Sequence, residues 1–529
     1  MALLDPRRRG GDLPRLEGDS GGHVVDGMSV QPEVLDLAII GSGFGGLGAG
    51  VMAKRRDIES FVILERDDAV GGTWRDNTYP GCACDIPSHL YSFSFAPNPE
   101  WSRSYPAQPE IEAYLERVTD DHGLRPHIRF GFAVSELRWL DDENHWRIEA
   151  GDGRVIGART VICATGPLSQ PSIPGIDGLS EFRGAMFHSA RWDHSHDMTG
   201  ERVGVIGTGA SSIQLVPAIA PSVDSLTVFQ RTPAWVLPRD DRPAPRWRRR
   251  LYRRVPFLQR LHRWRIYFRQ EILAAAFIGR GRLAASMTDR VIEESTAQIE
   301  SSISDPVLAG SLVPDHKPGC KRLLIANDWF PTLARENVHL VTAPIGRITA
   351  DGIRTSDGID HDLDAIVFAT GFSVTDFPAP MRILGRRGED LADHWENGAS
   401  TDFGVAVSGY PNLWFLAGPG TGLGHNSIVF MIEVQLRMIG QAIDHLRTRR
   451  LTTLELRPEV EASSYAELQR RIATTVWTSG CSSWYRTADG RVDTIWPGTT
   501  IEYWWRARRF RSSRYLGSAA RFGDPPPAR

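Results

Sequence analysis

Nearly unbroken apolar runs at 35–40, 61–64, 160–166, 202–206, 226–229, 338–341, 365–371 and 413–420 read as short buried strands. Helical periods separate them. Positions 47–54 open a helix, 109–122 place Ile111, Leu115 and Val118 on one side, and 428–446 make a longer helix. Three short alternating runs, at 127–130, 134–139 and 145–149, predict a small antiparallel insertion. Strands alternating with helices imply an α/β protein built on parallel sheets.

Two of the predicted strand–helix junctions are rich in glycine. The first is Gly41-Ser-Gly-Phe-Gly-Gly46 and the second Gly207-Thr-Gly-Ala-Ser-Ser212. Glycine at Gly41, Gly43 and Gly46, and at Gly207 and Gly209, permits a tight turn and close approach of backbone to a pyrophosphate. The following helix N-terminus supplies N–H donors. Ser212 replaces the third glycine of the second motif, and a small residue still allows close helix–strand packing there. Glu65 ends the strand after the first turn, near the offset of about 20 residues expected for an acid on a ribose 2′-OH. Arg231 occupies the corresponding offset from Gly207, followed by Thr232. An arginine there suits a 2′-phosphate. These features predict two Rossmann-like dinucleotide sites, FAD at the first and NADPH rather than NADH at the second. Ser211 and Gln214 open the second helix and are expected at the NADPH site.

Between the two glycine turns lies Phe182-Arg-Gly-Ala-Met-Phe-His-Ser-Ala-Arg-Trp-Asp193, of the form F-x-G-x-x-x-H-x-x-x-W-D. Upstream, Gly71-Gly-Thr-Trp-Arg-Asp-Asn-Thr-Tyr-Pro-Gly-Cys-Ala-Cys-Asp85 fits G-G-x-W-x-x-x-x-Y-P-G-x-x-x-D. In these two stretches the chain resembles the type I Baeyer–Villiger monooxygenases, from about residue 35 to about 516. The resemblance implies an NADPH domain inserted within a discontinuous FAD domain. It places FAD segments at 32–170 and 365–529, and the NADPH domain at 171–364 with a helical insertion at about 244–310. It implies oxygen insertion beside a ketone carbonyl, from O2 through a C4a-peroxyflavin, giving an ester or lactone. Thr73 and Trp74 would touch the flavin. Arg322 would stabilise developing negative charge, Asp85 would hold Arg322, and Lys321 would join Arg231 and Thr232 at the NADPH phosphate. Phe182, Gly184, His188, Trp192 and Asp193 would form a linker that couples domain movement to cofactor retention. Gly418-Pro-Gly420 stands where many related flavoproteins end the last strand in an acid. An N- or S-oxygenating flavin monooxygenase is the nearest alternative, and Trp192 argues against it, since that group usually carries Tyr or Phe there. A flavin-binding sensor or membrane-docked module is the alternative from another class.

Composition narrows the picture. The chain has 529 residues, 41% hydrophobic and 24% charged, with a net charge of −3, ordinary values for a soluble globular protein. Five cysteines include no C-x-x-C, which disfavours dithiol chemistry and predicts reduced thiols in a cytoplasmic protein. No metal site is expected. No run reaches the roughly 18 apolar residues of a membrane span. Residues 1–31 read as a disordered tail without a signal-peptide core, with Met28 as a second candidate start, and 523–529 as a second disordered tail. The ten arginines between Arg246 and Arg269 are interleaved with Trp247, Leu251, Phe257, Leu258, Trp264 and Tyr267. They are read as a solvated helical insertion whose arginines pair with acids. Peripheral membrane contact is the minority reading, and nucleic acid is not an expected partner.

Overall fold

The computed structural model describes residues 33–278, 281–377, 380–480, 483, 485–487 and 489–519. The two tails predicted to be disordered lie outside this range. From Leu37 to Ile40 the strand Val34–Ile40 is apolar and buried on both faces, as the heart of a central parallel strand must be. It pairs in parallel with Phe61–Leu64 on one side and Val155–Cys163 on the other. The latter strand is long, and its two halves have different neighbours. Its first half pairs antiparallel with His145–Ala150, which in turn pairs with Val134–Leu140. Its second half pairs in parallel with Leu413–Phe415, from far along the chain. The antiparallel insertion is therefore present, but smaller than expected. Ile128–Arg129 lies outside it and extends the parallel edge beside Phe61–Leu64, because Ile128 buries its side chain in the core under that edge.

A second, wholly parallel sheet runs in the order Val338–Val341, Ser225–Phe229, Arg202–Ile206, Ala365–Phe368, Ala185–His188. The strand at 365–368 was expected to open the returning segment of the first domain. It instead lies between Arg202–Ile206 and Ala185–His188 in the second sheet, where Ile366 and Phe368 fill the core with Ile206 and Phe229. The chain rejoins the first sheet only with Arg382–Leu384, beside Val134–Leu140.

Helices Arg246–Arg254, Pro256–Ile278, Arg282–Ser302 and Pro306–Leu312 form the insertion in the second domain. Val236–Leu237 enters it and Leu324–Ile325 leaves it. These two strands pair in parallel, so the insertion starts and ends at one place and delivers Lys321 and Arg322 beside the second sheet. The long helix Ile428–Arg449 packs on Phe44–Lys54 and closes the first domain. Cys82, Cys84 and Cys163 are buried free thiols, and burial pushes Cys82 up to about 12. Cys320 is disulfide-bonded, a correction to the expectation that all thiols are reduced, while Cys481 lies outside the described residues. Among the described residues no helix is long and apolar enough to cross a membrane.

Candidate active site

The two glycine turns face one another across a continuous cleft of about 1630 Å³. Gly41, Gly43, Glu65, Thr73, Trp74 and Asp85 line it from the first domain. Gly207, Gly209, Ser211, Gln214, Arg231, Thr232, Lys321 and Arg322 line it from the second. Gly46 stands behind the first turn. A Cβ built there would lie 1.7 Å from the Gly41 carbonyl oxygen, so a side chain would push the helix off the strand. Glu65 is buried at the end of its strand, where the Ser42 backbone N–H and hydroxyl donate to its carboxylate at 2.8 and 2.5 Å. Arg75 reaches the other Glu65 oxygen at 3.4 Å and also pairs with Asp67 and Asp76. Trp74 donates its indole N–H to the Tyr91 hydroxyl at 3.0 Å, which fixes the ring under the loop.

The loop that carries Asp85 is clamped by the opposite domain. Gly81 has φ +81°, and a Cβ there would lie 2.6 Å from the Gln214 carbonyl, so the Pro80-Gly81 turn can approach the second helix only with glycine. The Gln214 side-chain carbonyl accepts from the Tyr79 hydroxyl at 3.0 Å and from the Ala83 N–H at 3.2 Å. Its NH2 donates to the Ala83 carbonyl at 3.0 Å. Gln214 thus bridges the domains, a function its place in the motif did not suggest.

Asp85 and Arg322 meet across that bridge. Arg322 directs Nε and Nη2 at the same Asp85 oxygen, both at 2.7 Å, and Nη1 toward the Leu423 carbonyl at 3.4 Å. Asp85 raises the guanidinium further above its already high value, so Arg322 is a permanent cation held in one orientation. The Tyr485 hydroxyl lies next to it. Arg231, Thr232 and Lys321 converge at the other end of the cleft. The Lys321 ammonium donates to the Thr232 hydroxyl at 2.5 Å. Burial, and then the neighbouring Arg231, push the Lys321 ammonium below its ordinary value. Two cations held together in this way are relieved by an anion of charge two, such as a phosphate monoester.

The linker residues stand outside the cleft. Phe182 packs into the core of the second domain, and Gly184 lies against the Asp364 carbonyl. His188 is buried at the end of its strand, with Nδ1 accepting from the Ala190 N–H at 3.0 Å and its ring against Phe372. Burial lowers it to about 4, so it is neutral at pH 7. Trp192 sets its ring edge-on to Phe187, and Asp193 caps a turn by accepting from the Ser195 N–H and hydroxyl at 2.9 and 2.6 Å. The contacts from the linker to the first domain come from residues that sequence reasoning passed over. Arg191 pairs with Asp76 at 3.5 Å, and His194 Nε2 shares a hydrogen bond with the Thr78 hydroxyl at 2.7 Å. Nothing in motif spacing marks them.

Two dinucleotide turns on one cleft, an acid at the first and cations at the second, define a flavin- and pyridine-nucleotide-type oxidoreductase. The family described as "Pyridine nucleotide-disulphide oxidoreductase" matches residues 38–272. A Baeyer–Villiger monooxygenase of Streptomyces coelicolor is 46% identical, over 91% of this chain and 92% of its own length. Among solved structures, closed cyclohexanone monooxygenase superposes with a TM-score of 0.82 at 29% identity, covering 93% of this chain and 100% of that one. The OTEMO complex with FAD and NADP gives a TM-score of 0.80 at 29% identity, over 90% and 97% of the two chains. The chain belongs to the Baeyer–Villiger monooxygenase family.

Proposed function

We propose that this protein oxygenates a ketone to the ester or lactone at the expense of NADPH and O2. FAD would lie along Gly41, Gly43, Glu65, Thr73 and Trp74, and NADPH along Gly207, Gly209, Ser211, Arg231, Thr232 and Lys321. The residues present fit both groups. In the Gly41–Gly46 turn, Gly43 presents bare backbone to the cleft, and Arg231 with Lys321 forms a cation pair in need of an anion. OTEMO binds FAD and NADP in a chain of the same fold. Reduced flavin supplies the oxygen-activating chemistry when bound.

The observation that carries the reading is the Arg322–Asp85 pair. It places a fixed guanidinium on a cleft shared by both nucleotide turns. Its role is to stabilise negative charge as it develops on the oxygen atoms around the substrate carbonyl. A donor preorganised in that way is worth roughly 3–4 kcal/mol. Asp85 positions Arg322 and keeps the local net charge near zero before reaction. Tyr79, Gln214 and Ala83 hold the Asp85 loop against the second domain, so the charge pair and the nicotinamide site move as one. His188, Arg191 and His194 tie the linker to both domains and act on closure rather than on the chemistry.

The test is product analysis by mass spectrometry across a panel of ketones and sulfides, with NADPH and labelled O2. Ketones are expected to yield esters or lactones carrying one labelled oxygen. Sulfoxides alone, with every ketone returned unchanged, would overturn the assignment in favour of heteroatom oxygenation.

A further inference from the structure

We infer that the helix Pro256–Ile278 docks the enzyme on an anionic lipid surface. Phe257, Leu261, Trp264, Phe268 and Ile272 are each between 52% and 68% exposed. At about 100° per residue they fall within one sector of about 80°, over a length of roughly 22 Å. Gln259, Tyr267, Gln270, Ala274 and Phe277 are buried on the opposite side, so the helix has two apolar-bearing faces and only one of them is used by the fold. Arg265 and Arg269 flank the exposed stripe on one side and Arg260 on the other, all exposed. Glu271 is the one carboxylate of the helix, and it is turned inward to accept from the Asn426 amide and the Thr500 hydroxyl, both at 2.6 Å.

The arginines of this region were expected to pair with acids. Among the described residues, ion pairs are found for Arg253 with Glu100 and for Arg263 with Glu433. The arginines bordering the stripe form none there. An apolar stripe bordered by arginines that have no acid partner among the described residues is the pattern of a helix lying in the interface of a bilayer, with side chains in the acyl boundary and guanidinium groups among phosphates. The neighbouring helix Thr500–Ala507, joined by a 2.8 Å hydrogen bond between Tyr267 and Thr500, adds exposed Ile501 and Trp505. Trp264 also lines a crevice of about 500 Å³ with Phe95, Phe430, Leu436 and Trp504, room for part of an acyl chain. A second copy of the chain fits less well. A two-fold contact would bring the same arginines face to face.

This inference does not depend on the catalytic reading. The flavin-loaded full chain is to be floated with vesicles of phosphatidylcholine alone and of phosphatidylcholine with phosphatidylglycerol. Flotation is expected with the anionic vesicles at low ionic strength and is expected to fall as salt rises. Arg260→Ala with Arg265→Ala should weaken it about thirtyfold, and Arg260→Lys with Arg265→Lys should restore it, because a point charge suffices at a lipid surface. Phe257→Ser with Leu261→Ser should abolish flotation while ketone-dependent NADPH oxidation stays at the parental rate. Failure to float with anionic vesicles would overturn the inference. So would flotation unchanged in both sets of variants, or a dimer in sedimentation that the serine variants dissolve.

Discussion

Arg322→Ala gives the most decisive test of how the cleft works. The substitution removes the Nε and Nη2 contacts to Asp85 and the Nη1 approach to Leu423. The cleft keeps the Asp85 carboxylate and loses its counter-cation, so a neutral ion pair becomes a net negative charge beside the reacting oxygen. Loss of one preorganised donor costs roughly 3–4 kcal/mol of transition-state stabilisation, or about a hundred- to a thousandfold in the productive step. Hydride delivery from NADPH does not use that charge and should continue, as long as the nicotinamide still binds. Oxygen would then leave as hydrogen peroxide. Three quantities are to be followed together, NADPH consumed, peroxide released and ester formed. The expected result is sustained NADPH consumption with peroxide in near-equal yield and almost no ester. Arg322→Lys should recover little, since one ammonium cannot hold Asp85 through two nitrogens and reach Leu423 as well. Asp85→Ala should show a milder defect, with the cation present but free to swing. Ester formation by Arg322→Ala at the parental rate would refute the assignment of Arg322, and the fold would stand.

Three further expectations follow from the same geometry. Arg231→Ala should raise KM for NADPH at least tenfold and leave KM for NADH nearly unchanged, because a charge-assisted phosphate contact is worth about 1.5–3 kcal/mol; equal changes for both nucleotides would remove Arg231 from the phosphate site. Gly46→Ala should lower FAD content in the purified protein, since its Cβ meets the Gly41 carbonyl; full flavin occupancy by absorbance would contradict that packing. Acid should destabilise the fold through His188, whose value falls from an ordinary 6.5 to about 4 by burial. The unfolded chain binds the proton more readily, so this contribution is complete above pH 6.5 and fades as pH drops toward 4. It amounts to about 3 kcal/mol at most. His188→Asn should flatten the dependence of Tm on pH in that window, and an unchanged slope would show that other groups set it.

Local sequence made much of this architecture legible. A strand, a glycine turn and a helix lie within about twenty residues of one another, and glycine is required there for steric reasons that do not depend on the rest of the fold. Residues whose position is set by that turn, among them Gly41, Gly46, Glu65 and Gly207, are therefore recognisable. Contacts made across the domains are not. Gln214 lies in the helix after the second turn and lines the cleft, while its bridge to Tyr79 and Ala83 depends on how the two sheets dock. Arg191 and His194 carry no periodic or motif signal. The 365–368 run was assigned to the wrong sheet because a buried parallel strand reads alike in either, and its neighbours alone decide its place. The arginine-rich segment misled for a related reason. Sequence shows that charges and aromatics alternate, but which of them the fold has already covered appears only once the helix is packed.

The split neighbourhood of Val155–Cys163 has a consequence for biosynthesis. Every strand of the second sheet comes from one uninterrupted stretch of chain, between Ala185 and Phe368. The first sheet must wait for Leu413–Phe415 to pair with Val161–Cys163, a closure across some 250 residues. During translation the inner domain would be complete on the ribosome while the outer one still lacks its last strand and its closing helix. Flavin capture would then be a late event, after the nicotinamide module has already folded. Nascent chains stalled after residue 400 would resist protease over 171–371 and bind no flavin, whereas chains stalled beyond the helix ending at Arg449 would begin to hold it.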